Sequence, residues 1–507
     1  VAFIERKKNM KKIRQFLFFL GMIVSFIVVV VTNYSLNTKI VFGLIYIIIV
    51  LSICGGIMLE NRSPYKTLLW MYAIIFFPLV GYVFFIYSGQ LEVKGHLFKR
   101  KREKHIEMMK KMIHCRPSEL SQGFNEKEKS FADLVETLSQ HPLSCYSQTE
   151  VLKNGDETFP AIREELRKAQ EYIHLGYYTL RDDKVGMSII DILCEKAKNG
   201  CEVLVYHDFI GSSLSRRTIK RMREFGVRVH GFLPLRRSFF NQKLNFRNHR
   251  KIIVIDGKVG FVGGMNIGDE YIGEGKRFSF WRDTHLKIKG EVVQTLQAAF
   301  LSDWFYITGE ELPFSKYKAK ELQNGDGGIQ VVTSGPDSSQ SVMSDLYHAM
   351  VTSAKESIII ATPYFVPNKD IRTALKIAAA RGVDIKIMVP RKNDGFLTQY
   401  GTNSYFGEML NENINIYQYE KGFMHHKILI VDDKIASVGT ANVDIRSLQL
   451  NFEINVFLLH SKTIQQLIHN FYEDIKNSHK VEKQEYRHRS FLERLKESFA
   501  RLFSPVL

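Results

Sequence analysis

The hydrophobic pattern of the chain changes character once, near residue 90. Before that point three apolar runs follow one another, at residues 16–31, 40–59 and 68–87. They are apolar on every side rather than along one stripe, so lipid, not a protein core, is their expected neighbour. The second and third have about the ~20 residues that a bilayer crossing takes, and the first is short for it. None is followed by a small-residue cleavage pattern, so the runs are expected to be a retained anchor and not a removable leader.

Past the basic stretch at 99–111 the pattern becomes that of an α/β protein, and it is written twice. In the first copy residues 171–178 form a strand signal, Ile189, Ile190, Ile192 and Leu193 mark a helix, Gly200 closes it and 203–206 is the next strand. In the second copy the strand is 356–364, the helix runs through Leu375, Ile377 and Ala378, Gly382 closes it, and 385–389 follows. Strand, helix, Gly turn and β-branched strand are the parts of a βαβ unit. The offset is 185 between Glu171 and Glu356, and 182 between Gly200 and Gly382. Agreement across different elements indicates a duplicated domain. The expected fold is α/β: two duplicated halves packed around one active site, preceded by N-terminal transmembrane helices.

Each copy continues into a matching polar constellation. The first holds His249, Lys251, Asp256 and Asn266, and the second His425, Lys427, Asp432 and Asn442. In both, Lys follows His by two residues, Asp by seven and Asn by seventeen. On a strand, His and Lys at i and i+2 point to one face. Asp256-Gly257 and Asp432-Asp433 are turn signals, and the apolar runs after them predict a return strand that carries each Asn back beside its His. Each half then offers one imidazole, one ammonium and one amide to a common cleft. That set suits a phosphodiester: the Lys and Asn groups stabilise charge on the non-bridging oxygens without a metal. One neutral histidine attacks phosphorus and the other, protonated, gives its proton to the leaving alkoxide. Asp256 and Asp432 are grouped with the catalytic set by the motif, but are expected to organise the hairpins more than to touch substrate. His426, beside His425, is expected to face away from the cleft. No metal or cofactor is expected, since nothing looks like a nucleotide loop or metal cluster.

Charge adds a partner. The net charge of +17 calls for something anionic, with nucleic acid and acidic lipid as the candidates. Basic residues flank the apolar region at both ends: Arg6, Lys7, Lys8, Lys11, Lys12 and Arg14 before it, then Lys94, Lys99, Arg100, Lys101, Arg102 and Lys104 after it. The positive-inside rule would place both ends in the cytoplasm, which needs an even number of crossings. Either one run does not cross, or the N-terminal tail lies outside. Pro78 and Gly81 allow a re-entrant hairpin in the third run, and the first run could lie at the interface. A cytoplasmic catalytic domain is favoured. The five scattered cysteines (Cys54, Cys115, Cys145, Cys194, Cys201) read as thiols in a reducing compartment.

The doubled constellation resembles the phospholipase D superfamily motif, HxKxxxxDxxxxxxGSxN, with Gly264 and Thr440 at the Ser position. The resemblance implies that one His is nucleophile, assigned to His249, and the other acid/base, assigned to His425. It also implies an orienting downstream acid for each, at Asp283 and Glu453. The wider sequence is similar to bacterial cardiolipin synthases along essentially the whole chain beyond the first run. That similarity is carried by residues 60–64, 68–70, Pro78, Gly81, 87–89, 334–337, 363–367 and 442–447. It implies transfer of a phosphatidyl group from one phosphatidylglycerol to another through a phosphohistidine, releasing glycerol.

The expected organisation is an anchor at 1–90, a basic linker at 91–135, phospholipase D-like halves at 136–310 and 311–480, and an amphipathic cationic tail at 481–507. In that tail Phe491, Leu492, Leu495, Phe499, Leu502 and Phe503 recur at helical spacing among Arg494, Lys496 and Arg501, which suits either an anionic leaflet or packing on the domain. The expected partners are phosphatidylglycerol and anionic membrane lipid, and nucleic acid is not expected. A phospholipase D with water as acceptor is the alternative, and a membrane-bound nuclease the more remote one.

Overall fold

The computed structural model describes residues 2–60, 63–87, 89, 98–110, 124–233, 245–317, 325, 327–338 and 341–504. Lys94, Cys115, three residues of the wider similarity (Asn61, Arg62, Ser88), and the end of the tail lie outside them. Two compact units emerge, one holding 1–97 and 235–245, the other 98–234 and 246–507.

In the first unit a helix at Ala2–Phe26 runs on through a wider turn at Ile27–Val31. Its apolar stretch Ile13–Val31 is thereby longer than the sequence run suggested, and long enough to cross a bilayer, as is the next helix, Leu36–Met58. The third run does not continue straight. Pro78 lacks the N–H that a helix interior needs, and Phe77 before it leaves helical geometry at φ −132°, ψ 65°. Two short helices result, Pro64–Phe76 and Pro78–Tyr87. They fold back on each other, with the rings of Trp70 and Phe85 5.6 Å apart. A side chain at Gly81 would put its Cβ 2.3 Å from the Ala73 carbonyl oxygen, so the close approach requires glycine there.

The second unit contains both halves. Strands β1 (Ser147–Lys153), β2 (Tyr172–Tyr177), β3 (Glu202–Asp208), β4 (Arg228–Phe232), β5 (Lys251–Ile255), β6 (Val259–Gly263), β7 (Trp281–Arg282) and β8 (Thr284–Gly290) belong to the first. The second has β9 (Gly328–Ser334), β10 (Ser357–Ala361), β11 (Asp384–Pro390), β12 (Asn415–Tyr419), β13 (Phe423–Met424), β14 (Ile428–Val431), β15 (Ile435–Gly439), β16 (Glu453–Leu459) and β17 (Ser478–Lys480). The first sheet runs β1-β8-β6-β5-β2-β3-β4. The second, read from its opposite edge, runs β9-β16-β15-β14-β10-β11-β12 and adds β17. The duplication seen in the spacing is thus a duplication of strand order. In each half three strands are parallel (β2, β3, β4 and β10, β11, β12) and the motif hairpin is antiparallel. The central strands are buried on both faces, as their unbroken Ile and Val runs require.

The expected basic linker is in part ordered into this unit. Its helix Lys99–Lys110 packs on the helix Val293–Thr308, and Lys101 is fully buried, 2.9 Å from Asp303 and 2.8 Å from Asp337. The Lys101 charge is spent inside the protein. Cys54, Cys194 and Cys201 are buried free thiols, while Cys145 is half-buried.

Candidate active site

The two motif hairpins are built alike. Asp256 and Gly257, like Asp432 and Asp433, take positive φ between 49° and 65°, the conformation that a two-residue hairpin turn demands. Each first Asp then turns its carboxylate onto neighbouring backbone. Asp256 accepts from the N–H groups of Gln170, Glu171 and Tyr172, each at 2.8 Å. Asp432 accepts from those of Lys355, Glu356 and Ser357, at 3.0, 2.8 and 3.1 Å. Both therefore sit at the end of the hairpin remote from the histidines, and neither lines the cleft. The position of these two aspartates in the motif is accounted for by the start of β2 and β10, which they pin.

At the other end the halves exchange partners. The His249 N–H donates to the Phe452 carbonyl at 2.9 Å, and the His425 N–H to that of Arg282 at 2.7 Å. Phe452 and Arg282 each immediately precede an acid. Glu453 consequently lies 2.9 Å from His249 Nδ1, and Asp283 lies 2.7 Å from His425 Nδ1. Each histidine is oriented by the acid of the opposite half, and not, as the order along the chain led one to expect, by the acid downstream of it in its own half. The reason is that the two halves meet edge to edge through these segments. A carboxylate on Nδ1 fixes the tautomer and leaves Nε2 as the nitrogen available for chemistry.

The acids are themselves held. Glu453 takes the Thr440 hydroxyl at 2.5 Å, while Asp283 takes the Thr284 N–H at 2.8 Å. Thr440 and Gly264 occupy equivalent positions, and the difference is steric: a Cβ at Gly264 would lie 2.2 Å from Asp283 Oδ1. The residues between His and Lys point the other way. Arg250 donates to both oxygens of Asp303 at 3.0 Å, and His426 lies 2.7 Å from the Thr284 hydroxyl and 3.2 Å from Asp474. Buried acids thus anchor the back of both motifs. The sequence shows no periodicity that links Arg250 to Asp303 or His426 to Asp474, so only the fold reveals them.

Lys251 and Lys427 donate to the carbonyls of their own motif histidines, at 2.8 and 2.6 Å. Burial holds the Lys251 ammonium well below its ordinary pKa and brings that of Lys427 down to about 8. Burial also lowers both imidazoles, His425 to about 3, with Lys427 adding to it and Asp283 opposing. Burial would raise Asp283, but His425 and Lys427 pull it down to about 2. The cleft accordingly holds neutral imidazoles facing ionised carboxylates. Asn266 donates to the Tyr271 hydroxyl and Asn442 to Asp444, both at 2.9 Å, which leaves each amide a second N–H.

A cavity of about 670 Å³ is lined by His249, His425, Asn266 and Asn442, while Lys251 and Lys427 are buried behind the histidines and are not among its lining residues. Arg247, Arg277 and Arg446 add positive charge, and Tyr178, Trp281 and Tyr364 add aromatic wall. The motif spacing did not single out these six. The Tyr178 ring packs 5.0 Å from His249 and that of Trp281 5.3 Å from His425.

The sequence profile of a family described as "Cardiolipin synthase, PLD-like domain" matches this chain twice, at residues 162–304 and 347–475. The chain belongs to this phospholipase D-like family. A probable cardiolipin synthase of Bacillus subtilis is 50% identical over 92% of this chain and 93% of its own length. The cardiolipin synthase of Geobacillus kaustophilus is 44% identical over 89% and 91%. Among solved structures, phosphatidylserine synthase of Haemophilus influenzae aligns over 75% of this chain and 100% of its own, with a TM-score of 0.56 and 16% identity, a likeness of fold.

Proposed function

We propose that this chain is a membrane-anchored phosphatidyltransferase that joins two phosphatidylglycerol molecules into cardiolipin and glycerol. The observation that carries the reading is the pair of crossed dyads, His249 with Glu453 and His425 with Asp283, opening on one cationic cleft. Its closest functional support is similarity to cardiolipin synthases over nearly all of the chain.

In the first step His249 Nε2 attacks the phosphorus of one phosphatidylglycerol. The P–O bond to the headgroup glycerol breaks, and His425, as imidazolium, gives its Nε2 proton to the departing oxygen. In the second step His425 takes the proton of a terminal hydroxyl on another phosphatidylglycerol. That oxygen attacks phosphorus, the P–N bond to His249 breaks, and cardiolipin leaves. Lys251, Lys427 and the free N–H groups of Asn266 and Asn442 face the charge that builds on the non-bridging oxygens. The anionic phosphodiester itself raises the depressed pKa of His425, so substrate binding favours the protonated acid that the first step needs.

The anchor reading follows from two helices of crossing length and a third run that doubles back. The third run's halves span only about 20 and 15 Å, too short to cross a hydrocarbon core of ~30 Å. Two crossings put both basic flanks on one side, and the positive-inside rule makes that side cytoplasmic.

The test is purified protein with labelled phosphatidylglycerol as sole lipid, products separated by thin-layer chromatography, beside His249→Ala and His425→Ala. Cardiolipin and glycerol from the parent protein and from neither variant support the transfer. Phosphatidic acid as the main product makes water the acceptor, and no lipid product overturns the reading.

A further inference from the structure

The tail helix, Phe491–Arg501, is docked on the catalytic unit by its polar side and leaves its apolar side in solvent. Ala500 is fully buried, and Glu497 is buried beneath the Arg489 guanidinium at 2.9 Å. The Tyr486 hydroxyl donates to the Asn403 carbonyl at 2.8 Å, and the Tyr405 and Ser504 hydroxyls meet at 3.0 Å. These bonds hold the segments on either side of the helix, and the helix itself packs on Phe396–Asn403. Yet Phe491, Leu492, Leu495, Phe499 and Leu502 remain 51 to 78% exposed. An amphipathic helix that buries its polar side and shows its apolar side is inverted relative to ordinary domain packing.

Two further observations say what covers it. Six cations stand against three acids from Lys483 to Arg501; with Arg489 paired to the buried Glu497 and Arg501 to Glu408, four cations remain against two acids, so the rim carries net positive charge. The docked side of the helix also leads to the active site. Lys496 reaches over the Tyr400 ring at 5.4 Å, Tyr400 packs on exposed Phe396 at 4.7 Å, and the neighbours of Phe396, Asp394 and Gly395, line the cleft. We infer that this face is a bilayer-docking surface, its apolar side chains seated among acyl chains and its basic rim on anionic headgroups. It holds the cleft rim at the lipid surface, so that a diacyl substrate enters without exposing its chains to water. The inference rests on the lipid-transfer reading above and adds a second contact to the one made by the anchor.

The test uses the full chain reconstituted into vesicles, with a polarity-sensitive fluorophore on Leu492→Cys and the unsubstituted protein labelled as blank. In vesicles containing phosphatidylglycerol the emission shifts to the blue and is quenched by lipids labelled in the acyl chain. A probe that stays in water overturns the proposal. So does a probe already shielded in detergent and quenched by a second labelled copy, which would make the face a dimer contact. In parallel, Leu492→Asp with Leu495→Asp and Phe499→Asp is expected to lower cardiolipin formation on vesicles about three- to tenfold, the tether to the membrane keeping the loss modest. Its activity on short-chain phosphatidylglycerol below the micellar concentration stays at the parent level. Equal loss on both substrates overturns docking, whereas absence of cardiolipin from the parent protein on either substrate defeats the transfer reading instead.

Discussion

Glu453 of the second half lies 2.9 Å from Nδ1 of His249 in the first, and the exchange is mutual, because Asp283 of the first half holds His425 of the second. The pairing is set by backbone: the same two segments that exchange an N–H and a carbonyl between the halves carry the acids one residue further on.

Neutralising either acid should therefore disable the histidine across the interface. Glu453→Gln and Asp283→Asn are each expected to lower kcat by about 10²–10⁴-fold while substrate affinity changes little, as loss of the orienting carboxylate does in other His–acid pairs. Steady-state kinetics on phosphatidylglycerol, with circular dichroism to establish folding, checks this. A loss under threefold would show that the carboxylates are not needed.

Gly264 is a tighter constraint than its lack of a side chain suggests. Gly264→Ala places a methyl 2.2 Å from Asp283 Oδ1, so the carboxylate must move off His425 or off the Thr284 N–H. A fall in kcat of about tenfold is expected. Thr440→Val removes the hydroxyl that donates to Glu453 and accepts the Ile454 N–H at 2.9 Å, and a smaller loss, about threefold, should follow.

Asp256 should behave as a structural residue. Asp256→Ala strips three backbone N–H groups of their acceptor and puts alanine at φ 51°. The expected cost is about 2–4 kcal/mol of stability, read as a lower thermal midpoint, with kcat per folded molecule near the parent value. Loss of turnover without loss of stability would instead place Asp256 in the chemistry.

The pH profile should report Lys427. Its ammonium is brought down to about 8 by burial, so raising the pH through that value removes a cation facing the phosphate and kcat/KM should fall. Bound phosphodiester favours the charged form, which moves the same limb of kcat to higher pH. At the acid end, His249 must be neutral and His425 protonated, and burial lowers both in the free enzyme, so kcat/KM should peak below pH 6.5, decline above it and fall more steeply past Lys427.

Much of this was legible in the chain. The repeat offsets predicted a doubled βαβ pattern, and both sheets share one strand order. The Asp turns, the return strands and the outward-pointing His426 follow from local rules of period and turn chemistry. What was not legible arises between segments far apart. Nothing in the spacing of His249 says that its partner is 204 residues away, because that pairing is decided by how two sheets meet. Lys101 reads as surface charge until Asp303 and Asp337 are seen beside it. The tail illustrates a third case: its helical period was plain, but which side it buries depends on the helix Phe396–Asn403 and on Arg489, and not on its own pattern.

The exchanged acids bind the two repeats to a shared fate. After an ancestral duplication, one copy is ordinarily free to drift while the other keeps the task. Here each copy holds the residue that sets the partner's reactivity, so damage to either is felt in both steps of turnover. The copies can diverge in their surroundings, as Gly264 and Thr440 have beside the acids of their own halves, so long as each acid keeps its place on the opposite histidine.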